Sequence, residues 1–180
     1  PDEHPWKDGA KLDAALVDAV PDVTPPADLQ ARHLLPSPLP SWETPGAVDA
    51  RRLGAKGDGE SDDHAALQAA INANRTVFLP RGVFRVSKTL RLRPDTRLVG
   101  LHWSFSSITA ISTPQARFDG APAEAPDRPI VQTADLADAD TYVGFIHLHR
   151  KVPLAQHDTA TPGNYAIEWR CGGRAVANQV

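Results

Sequence analysis

The sequence predicts an all-β fold that contains one short helix. Short apolar segments recur over residues 76–170, and turn-forming sequences such as PRG and PDT separate them. In TLRLR, Leu90 and Leu92 alternate with Arg91 and Arg93, which is the period-two pattern of a half-buried strand. The predicted strands are TVFL, VFRV, TLRLR, RLVGL, SITAI, PIVQT, YVGFIHLH and YAIEWR.

The spacing of these segments bears on how the strands are arranged. None of them is joined to the next by a two-residue hairpin signal such as Asn-Gly. Leu90 and Ile111 are 21 residues apart (111 − 90), and so are His147 and Glu168 (168 − 147). A repeat of near-constant length favours a solenoid in which each turn stacks on the last. On pattern alone, a Greek-key sandwich is the alternative.

Residues 1–47 form a separate N-terminal region. Residues 8–20 (DGAKLDAALVDAV) fit a short amphipathic helix with Asp8 as its cap. Prolines recur from residue 21 to 45, which excludes a continuous helix or a central strand because proline lacks the amide N–H. Four apolar residues predict that this proline-rich arm lies against a surface: Leu34, Leu35, Leu39 and Trp42.

A glycine- and aspartate-rich turn precedes the predicted helix. The glycines permit tight chain reversals; they are Gly54, Gly57 and Gly59. Ser61 is predicted to cap the helix, with Asp62 and Asp63 in its first turn, where negative charge is favourable. The helix is predicted to end near Asn74. Its apolar stripe, which must pack on another element, contains Leu67, Ala70 and Ile71.

Composition excludes several classes of function. The formal net charge is −3 and the pI is near 6.2, so nucleic acid is not an expected partner, because its binding usually requires a basic patch. The apolar runs are far shorter than the roughly 20 residues of a membrane helix. Cys171 is the single cysteine, which excludes an intrachain disulfide, and its place beside Trp169 predicts a core position. No cofactor is predicted.

The order of motifs from residue 48 to about 101 resembles the opening of the pectate-lyase-like right-handed parallel β-helix proteins. The resemblance lies in GAKGDGESDDHAALQAAI, followed by TVFLPRGVFRVSKTLRLRPDTRLVGL. His64 stands where threonine is usual in these proteins, and Phe84 where tyrosine is usual. The resemblance implies that residues 48–180 begin a right-handed parallel β-helix, a solenoid whose short helix caps the N-terminal end.

The same resemblance assigns the acidic turn to the structure of this cap. The implied cap residues are Gly54, Gly57, Asp58, Gly59, Ser61, Asp62 and Asp63. The alternative is that the three aspartates form a catalytic or calcium-binding cluster. The spacing lacks the terminal glutamate of an EF-hand loop, and aspartates at a helix start are already explained by the helix dipole.

Enzymes on this fold generally act on polysaccharides in a groove outside one parallel sheet, so the resemblance implies a polysaccharide substrate. Alternation in FIHLHR and YAIEWR predicts four outward polar side chains: His147, His149, Glu168 and Arg170. At the 21-residue offset they lie on neighbouring turns. Glu168 is the candidate catalytic general acid, and the other three, with Trp103, are candidates for binding the sugar. The alternative is a solvated face with ordinary cross-strand pairs.

Two further possibilities concern the same residue types. His147 and His149 share a strand face, as metal ligands would, but a site needs three or four ligands, and His157 and Asp158 fall in a segment with no predicted element. No metal is therefore predicted. Trp42, like Trp103, offers an aromatic face to a sugar ring, although such tryptophans more often pack in the protein.

A proline-rich arm before a capped β-helix resembles glycoside hydrolase family 55, tandem β-helix enzymes that cleave β-1,3-glucan. This resemblance implies part of a secreted glucanase whose catalytic acid lies on later turns. Residues 75–180 allow four or five turns at the observed offset, so we expect the remaining turns on another chain or fragment. The alternatives are a non-enzymatic glycan-binding tailspike or adhesin and a polysaccharide lyase.

Overall fold

The structure, a computed structural model, describes a large part of the chain, which divides into two units. The described residues are 6–7, 10–11, 27–28, 39–111, 118–120, 128–150, 166–172 and 175–180. The first unit covers residues 1–36 and the second covers residues 37–180. No helix within the described ranges is long and apolar enough to cross a membrane.

The described part of the first unit contains a short antiparallel strand pair. Strand β1 (Trp6–Lys7) pairs with β2 (Ala10–Lys11), with Lys7 opposite Ala10. The prediction of a helix starting at Asp8 is therefore wrong at its N-terminal end. The Asp-Gly sequence between the two strands is a strong signal for a two-residue hairpin loop, and it overrides the apolar spacing. The rest of the predicted helix, residues 12–20, lies outside the described residues.

The second unit consists of short strands and one α-helix. Helix α1 spans His64–Ala73, and 3-10 turns span Ala50–Leu53 and Phe118–Gly120. The strands are β3 (Val48–Asp49), β4 (Asp58–Asp62), β5 (Thr76–Leu79), β6 (Gly82–Val86), β7 (Leu90–Arg91), β8 (Arg97–Gly100), β9 (Ser106–Ala110), β10 (Val131–Gln132), β11 (Tyr142–Gly144), β12 (His147–Arg150), β13 (Ile167–Glu168) and β14 (Val176–Asn178).

These strands form three sheets in which every neighbouring pair is parallel. Sheet 1 has the order β3-β5-β8-β11-β14, sheet 2 the order β4-β6-β9-β12, and sheet 3 the order β7-β10-β13. From β5 onward the chain visits sheets 1, 2 and 3 in the same order in each turn. A mostly β fold with parallel sheets and one helix is thus confirmed. The Greek-key alternative is wrong, because its sheets are antiparallel.

The core lies between the sheets and consists of stacked apolar rows. In sheet 1, Val77, Leu98 and Val143 are paired in register, and each is fully buried. Phe84 and Ile108 form the equivalent buried row in sheet 2. Each such side chain contributes about 1.5–3 kcal/mol to the free energy of folding. The predicted core position of Cys171 is confirmed, since it is buried.

The turns have unequal lengths, which the predicted 21-residue repeat did not anticipate. Val77 and Leu98 are 21 residues apart (98 − 77), but Leu98 pairs with Val143, 45 residues later (143 − 98). Leu90 pairs with Val131 and not with Ile111. Strand register is set by backbone pairing and by the buried rows, whereas connections at the surface vary freely in length.

Helix α1 begins later than the sequence predicted. Asp63, and not Ser61, occupies the N-cap position, and Ser61 lies at the end of β4 with its N–H and hydroxyl bonded to Asp58. The predicted end is confirmed: Asn74 is the C-cap, and its N–H and side-chain amide both donate to the Ala70 carbonyl. The predicted apolar stripe is buried in the core: Leu67, Ala70 and Ile71.

One helix side chain completes the edge of sheet 3. Strand β7 is the edge strand, and the backbone of Arg91 faces the helix. Gln68 Oε1 accepts the Arg91 N–H at 2.9 Å, while Gln68 Nε2 donates to the Arg91 carbonyl at 3.0 Å. The Gln68 amide therefore makes the two hydrogen bonds that a neighbouring strand would make, so Arg91 does not present unpaired backbone groups at this edge.

The proline-rich arm is described at residues 27–28 and again from residue 39. Leu39, Pro40, Ser41 and Trp42 line a pocket of about 200 Å³ with residues of β8 and its following turn. The ring centroid of Trp42 lies 6.0 Å from that of Phe78 on β5. Residues 39–42 therefore lie against sheet 1, whereas Leu34 and Leu35 fall outside the described residues.

We predict that Gln68→Met lowers the free energy of unfolding by about 1–2 kcal/mol. Methionine keeps the length and helix propensity of glutamine, but it removes both hydrogen bonds to Arg91, each worth about 1 kcal/mol net. Urea unfolding followed by circular dichroism measures the change. Asn72→Ala, on the same helix face, loses only its bond to Gln68 and is the control. Equal stability of Gln68→Met and the wild type would contradict this role.

Candidate functional site

The acidic turn is held together by its own carboxylates. Asp58 accepts the N–H groups of Glu60 and Ser61 and the Ser61 hydroxyl. The bond from the Ser61 N–H is the main cause that lowers the pKa of Asp58 to about 2. No group of three or more potential metal ligands occurs among the described residues. The geometry is that of a turn, and closure of the solenoid end by α1 stays a prediction.

Asp62 joins this turn to sheet 2 and to the helix. Its Oδ1 accepts the N–H of His64 at 3.0 Å and that of Ser87 at 3.2 Å. Partial burial raises the pKa of Asp62, but the hydrogen bonds from Ser87 and His64 outweigh it, and the net pKa is lowered. The carboxylate therefore stabilises the start of the helix, as the sequence predicted for the acidic residues, although from a position before the helix.

Asp63 fixes the loop that leads into β4. Its buried carboxylate accepts the N–H of Lys56 at 2.6 Å and that of Gly57 at 3.0 Å. Gly57 has φ +61°, and a Cβ at this position would lie 2.8 Å from the Phe84 ring. Glycine is thus required there for its backbone angle and for its size.

We predict that Asp63→Asn destabilises the protein by about 1–3 kcal/mol. Asparagine has one acceptor oxygen, so its NH₂ group would face a buried N–H donor that loses its partner. Thermal and urea unfolding measure the loss. Glu60→Gln is the matched control because Glu60 is exposed on the same turn. A loss no larger than that of the control would contradict the structural role of Asp63.

His147 and His149 lie on the outer face of sheet 2. Both are exposed on β12, as the alternation of FIHLHR predicted, and they stand beside Ser107 and Thr109 of β9. Their rings stack with a centroid distance of 5.6 Å and an interplanar angle of 19°. The two imidazoles are therefore nearly parallel neighbours on the exposed face of this strand.

The loop between β8 of sheet 1 and β9 of sheet 2 adds more aromatic side chains. His102 has its ring centroid 5.5 Å from those of Trp103 and Phe105, and the Arg81 guanidinium lies 5.6 Å from the centre of the Phe105 ring. Trp103 and His147 line a shared pocket of about 300 Å³ with Ile146, Gln179 and Val180. We use the name aromatic surface for His102, Trp103, Phe105, His147 and His149.

The aromatic surface combines predicted residues with residues that the sequence reading missed. Trp103, His147 and His149 were predicted to bind sugar, and the structure brings Trp103 and His147 to one pocket. His102 and Phe105 were missed. The available signal was LHWSF, a loop with three neighbouring rings. Trp103 and Phe105 are 52% and 49% exposed, so core packing does not account for them.

Glu168 and Arg170 lie on a different sheet from the histidines. Strand β13 pairs with β10 in sheet 3, with Glu168 opposite Gln132, whereas His147 pairs with Ser107 in sheet 2. The prediction that these four residues share neighbouring turns of one face is therefore wrong, because it used the 21-residue offset. Trp42 also lies apart, against sheet 1. His157 and Asp158 fall outside the described residues.

The Glu168 carboxylate is engaged on both oxygens. Oε2 accepts a hydrogen bond from Gln132, and Oε1 accepts two from Arg170, at 2.8 and 2.6 Å. Gln132 in turn accepts a hydrogen bond from Arg91 at 3.1 Å. These contacts form a ladder of side chains, Arg91, Gln132 and Glu168, across three turns of the chain. The bond from Gln132, followed by that from Arg170, lowers the pKa of Glu168. A general acid must be protonated, so these contacts favour a structural ladder.

We predict that Glu168→Gln lowers stability near neutral pH and that this difference shrinks in acid. A carboxyl with a lowered native pKa contributes stability above its ordinary pKa of 4.5, and loses it as the pH falls through the native pKa. Urea unfolding from about pH 7 down to about pH 3 measures the difference. Asp135→Asn, at an exposed position, is the control. A difference independent of pH would contradict the ionised ladder.

Comparison with known proteins identifies the family. Residues 47–178 match the family described as rhamnogalacturonase A/epimerase, pectate lyase-like. The match covers more than half of the chain, and the chain belongs to this family. The resemblance to pectate-lyase-like proteins that the sequence indicated is thereby confirmed at the level of the superfamily.

Individual relatives match shorter segments. A glucan 1,3-β-glucosidase from Cochliobolus carbonum is 38% identical over 68 residues, which is 34% of this chain and 9% of that protein. A mannuronan C5-epimerase from Azotobacter vinelandii is 38% identical over 87 residues, 42% of this chain and 5% of the epimerase. The pre-neck appendage protein of Bacillus phage phi29 is 42% identical over 53 residues, 29% and 6% of the two chains. The chain thus spans less than a tenth of each relative.

Proposed function

We propose that this chain is part of a polysaccharide-active protein and that the aromatic surface on sheet 2 binds the polysaccharide. The observation that carries the proposal is the exposure of Trp103 and Phe105 beside the stacked histidines. Aromatic faces supply rigid apolar contact area with little loss of conformational entropy, which suits the C–H faces of sugar rings. Solvated polar groups at the rim, such as Ser107 and Thr109, are suited to sugar hydroxyls.

A row of rings also suits an extended ligand. The aromatic residues come from the loop between β8 and β9 and from β12, and β9 and β12 are neighbouring parallel strands of sheet 2. Neighbouring strands are separated by about 4.8 Å, so several turns offer contacts along one polymer. This arrangement supports a polymeric ligand more than a single enclosed sugar.

The specific reaction that we propose is hydrolysis of a polysaccharide such as β-1,3-glucan, by a secreted enzyme. The support is the similarity of this chain to a protein named glucan 1,3-β-glucosidase. Glu168 is engaged in the sheet 3 ladder, and the acidic residues of the sheet 2 strands lie on β4, which is separated from β12 by two strands. We therefore infer that the catalytic carboxyl groups come from turns on another chain or fragment.

A second candidate function is glycan binding without catalysis. This function is favoured by the position of the acidic side chains in the described strands of sheet 2, because they lie on β4 and not beside the aromatic surface. The similarity to a phage appendage protein supports it as well. Polysaccharide binding without turnover, by a homotrimer, would favour this function over the hydrolase.

We predict that Trp103→Ala weakens binding of soluble β-1,3-glucan by at least about tenfold. Truncation of a tryptophan at the centre of a binding surface commonly costs about 2 kcal/mol or more. Isothermal titration measures the affinity, and release of reducing sugar is followed in parallel. Polymannuronate is titrated as the alternative polymer.

The matched control is Trp42→Ala. Trp42 and Trp103 have nearly equal exposure, 51% and 52%, but Trp42 lies against sheet 1. Unchanged binding in Trp42→Ala and weakened binding in Trp103→Ala supports the aromatic surface. If both variants bind like the wild type, or if neither polymer binds, the proposed function is wrong.

A further inference from the structure

A polar cleft lies between helix α1 and strand β7, on the sheet 3 side of the molecule. Its volume is about 420 Å³, and it is lined by His64, Gln68, Asn72, Lys88, Thr89, Arg91 and Asp119. The three helix residues follow one another at intervals of four, so they lie along one helix face. None of these residues belongs to the aromatic surface.

The cleft holds more positive than negative charge. Lys88 is exposed, and no hydrogen bond or ion pair within the described part of the chain involves its ammonium group. Arg91 uses Nη1 for its bond to Gln132, which leaves further guanidinium N–H groups. Within the described lining, Asp119 supplies the one carboxylate, which accepts the Thr89 N–H at 3.5 Å. Among the described lining residues, two side chains with a permanent positive charge accompany one carboxylate, which favours an anionic ligand.

The remaining polar groups of the cleft suit hydroxyls. The Gln68 amide is committed to the Arg91 backbone, and it also donates to Asn72 Oδ1 at 3.0 Å. The Asn72 NH₂ group is left to donate to a ligand. A ligand that fits has one negatively charged group, which pairs with Lys88 and Arg91. It also has hydroxyl groups, which accept a hydrogen bond from Asn72 and donate one to Asp119.

We propose that this cleft binds a sugar that carries an anionic group, either a carboxylate or a phosphate. The site is separate from the aromatic surface and does not depend on the proposed function. Because Gln68 joins the helix face to the backbone of β7, the backbone framework of the cleft is formed before a ligand binds.

The test is titration of the whole chain with four probes: glucuronic acid, glucose 6-phosphate, inorganic phosphate and glucose. Binding is followed by ¹⁵N–¹H NMR. We expect shifts at Lys88, Thr89 and Asn72 with an anionic sugar, and about tenfold weaker binding in Lys88→Ala, since one charge-assisted hydrogen bond is lost. Lys56→Ala, which removes an exposed lysine outside the cleft, and Trp103→Ala are expected to bind like the wild type.

The outcomes separate the two sources of negative charge and can overturn the proposal. Binding of glucuronic acid alone assigns a sugar carboxylate, and binding of glucose 6-phosphate alone assigns a sugar phosphate. The proposal is overturned if no anionic sugar binds, if glucose or inorganic phosphate binds as tightly as the anionic sugars, or if Lys88→Ala leaves the affinity unchanged. Failure of glucan binding at the aromatic surface would leave this result intact.

Discussion

Parallel backbone pairing between successive turns is the constraint on which the rest of this structure depends. The pairing places Val77, Leu98 and Val143 in one row, and the row is fully buried. Because side chains alternate with a period of two, a slip of one residue would turn the whole row toward solvent. The same register therefore determines both which side chains form the buried rows and which side chains lie on each outer face.

The outer faces of sheets 2 and 3 carry different kinds of side chain. The outer face of sheet 2 carries exposed rings that make few polar contacts, which leaves them open to a ligand. The outer face of sheet 3 carries Arg91, Gln132 and Glu168, whose polar groups bond to one another across three turns. This set of contacts stabilises the sheet, and it leaves neither carboxylate oxygen of Glu168 without a hydrogen bond.

Local features of the structure were predictable from the sequence, and long-range features were less so. The strand TVFL and the end of the helix near Asn74 follow from apolar patterning and from capping chemistry. The helix start was misplaced because three consecutive residues, Ser61, Asp62 and Asp63, are all good capping residues. Only the tertiary hydrogen bonds of Asp63 and Asp58 decide among them.

The candidate site was only partly predictable for a related reason. The outward direction of His147 and Glu168 follows from alternation, but the turn on which each one lies depends on the length of the surface connections. These connections carry no periodic signal, so Glu168 was assigned to the wrong neighbours. Likewise, Trp103 and His147 are 44 residues apart (147 − 103), and nothing local in the sequence records that they meet.

The Gln68 amide blocks strand addition at one edge of sheet 3. A parallel sheet with two open edges can be extended by strand addition in either direction, as occurs in fibrils. In sheet 3 the backbone of Arg91 at the β7 edge is already bonded to a side chain, so a further strand is not able to pair with Arg91 there. Any assembly that continues sheet 3 therefore grows in one direction, and a single glutamine on a helix determines which direction that is.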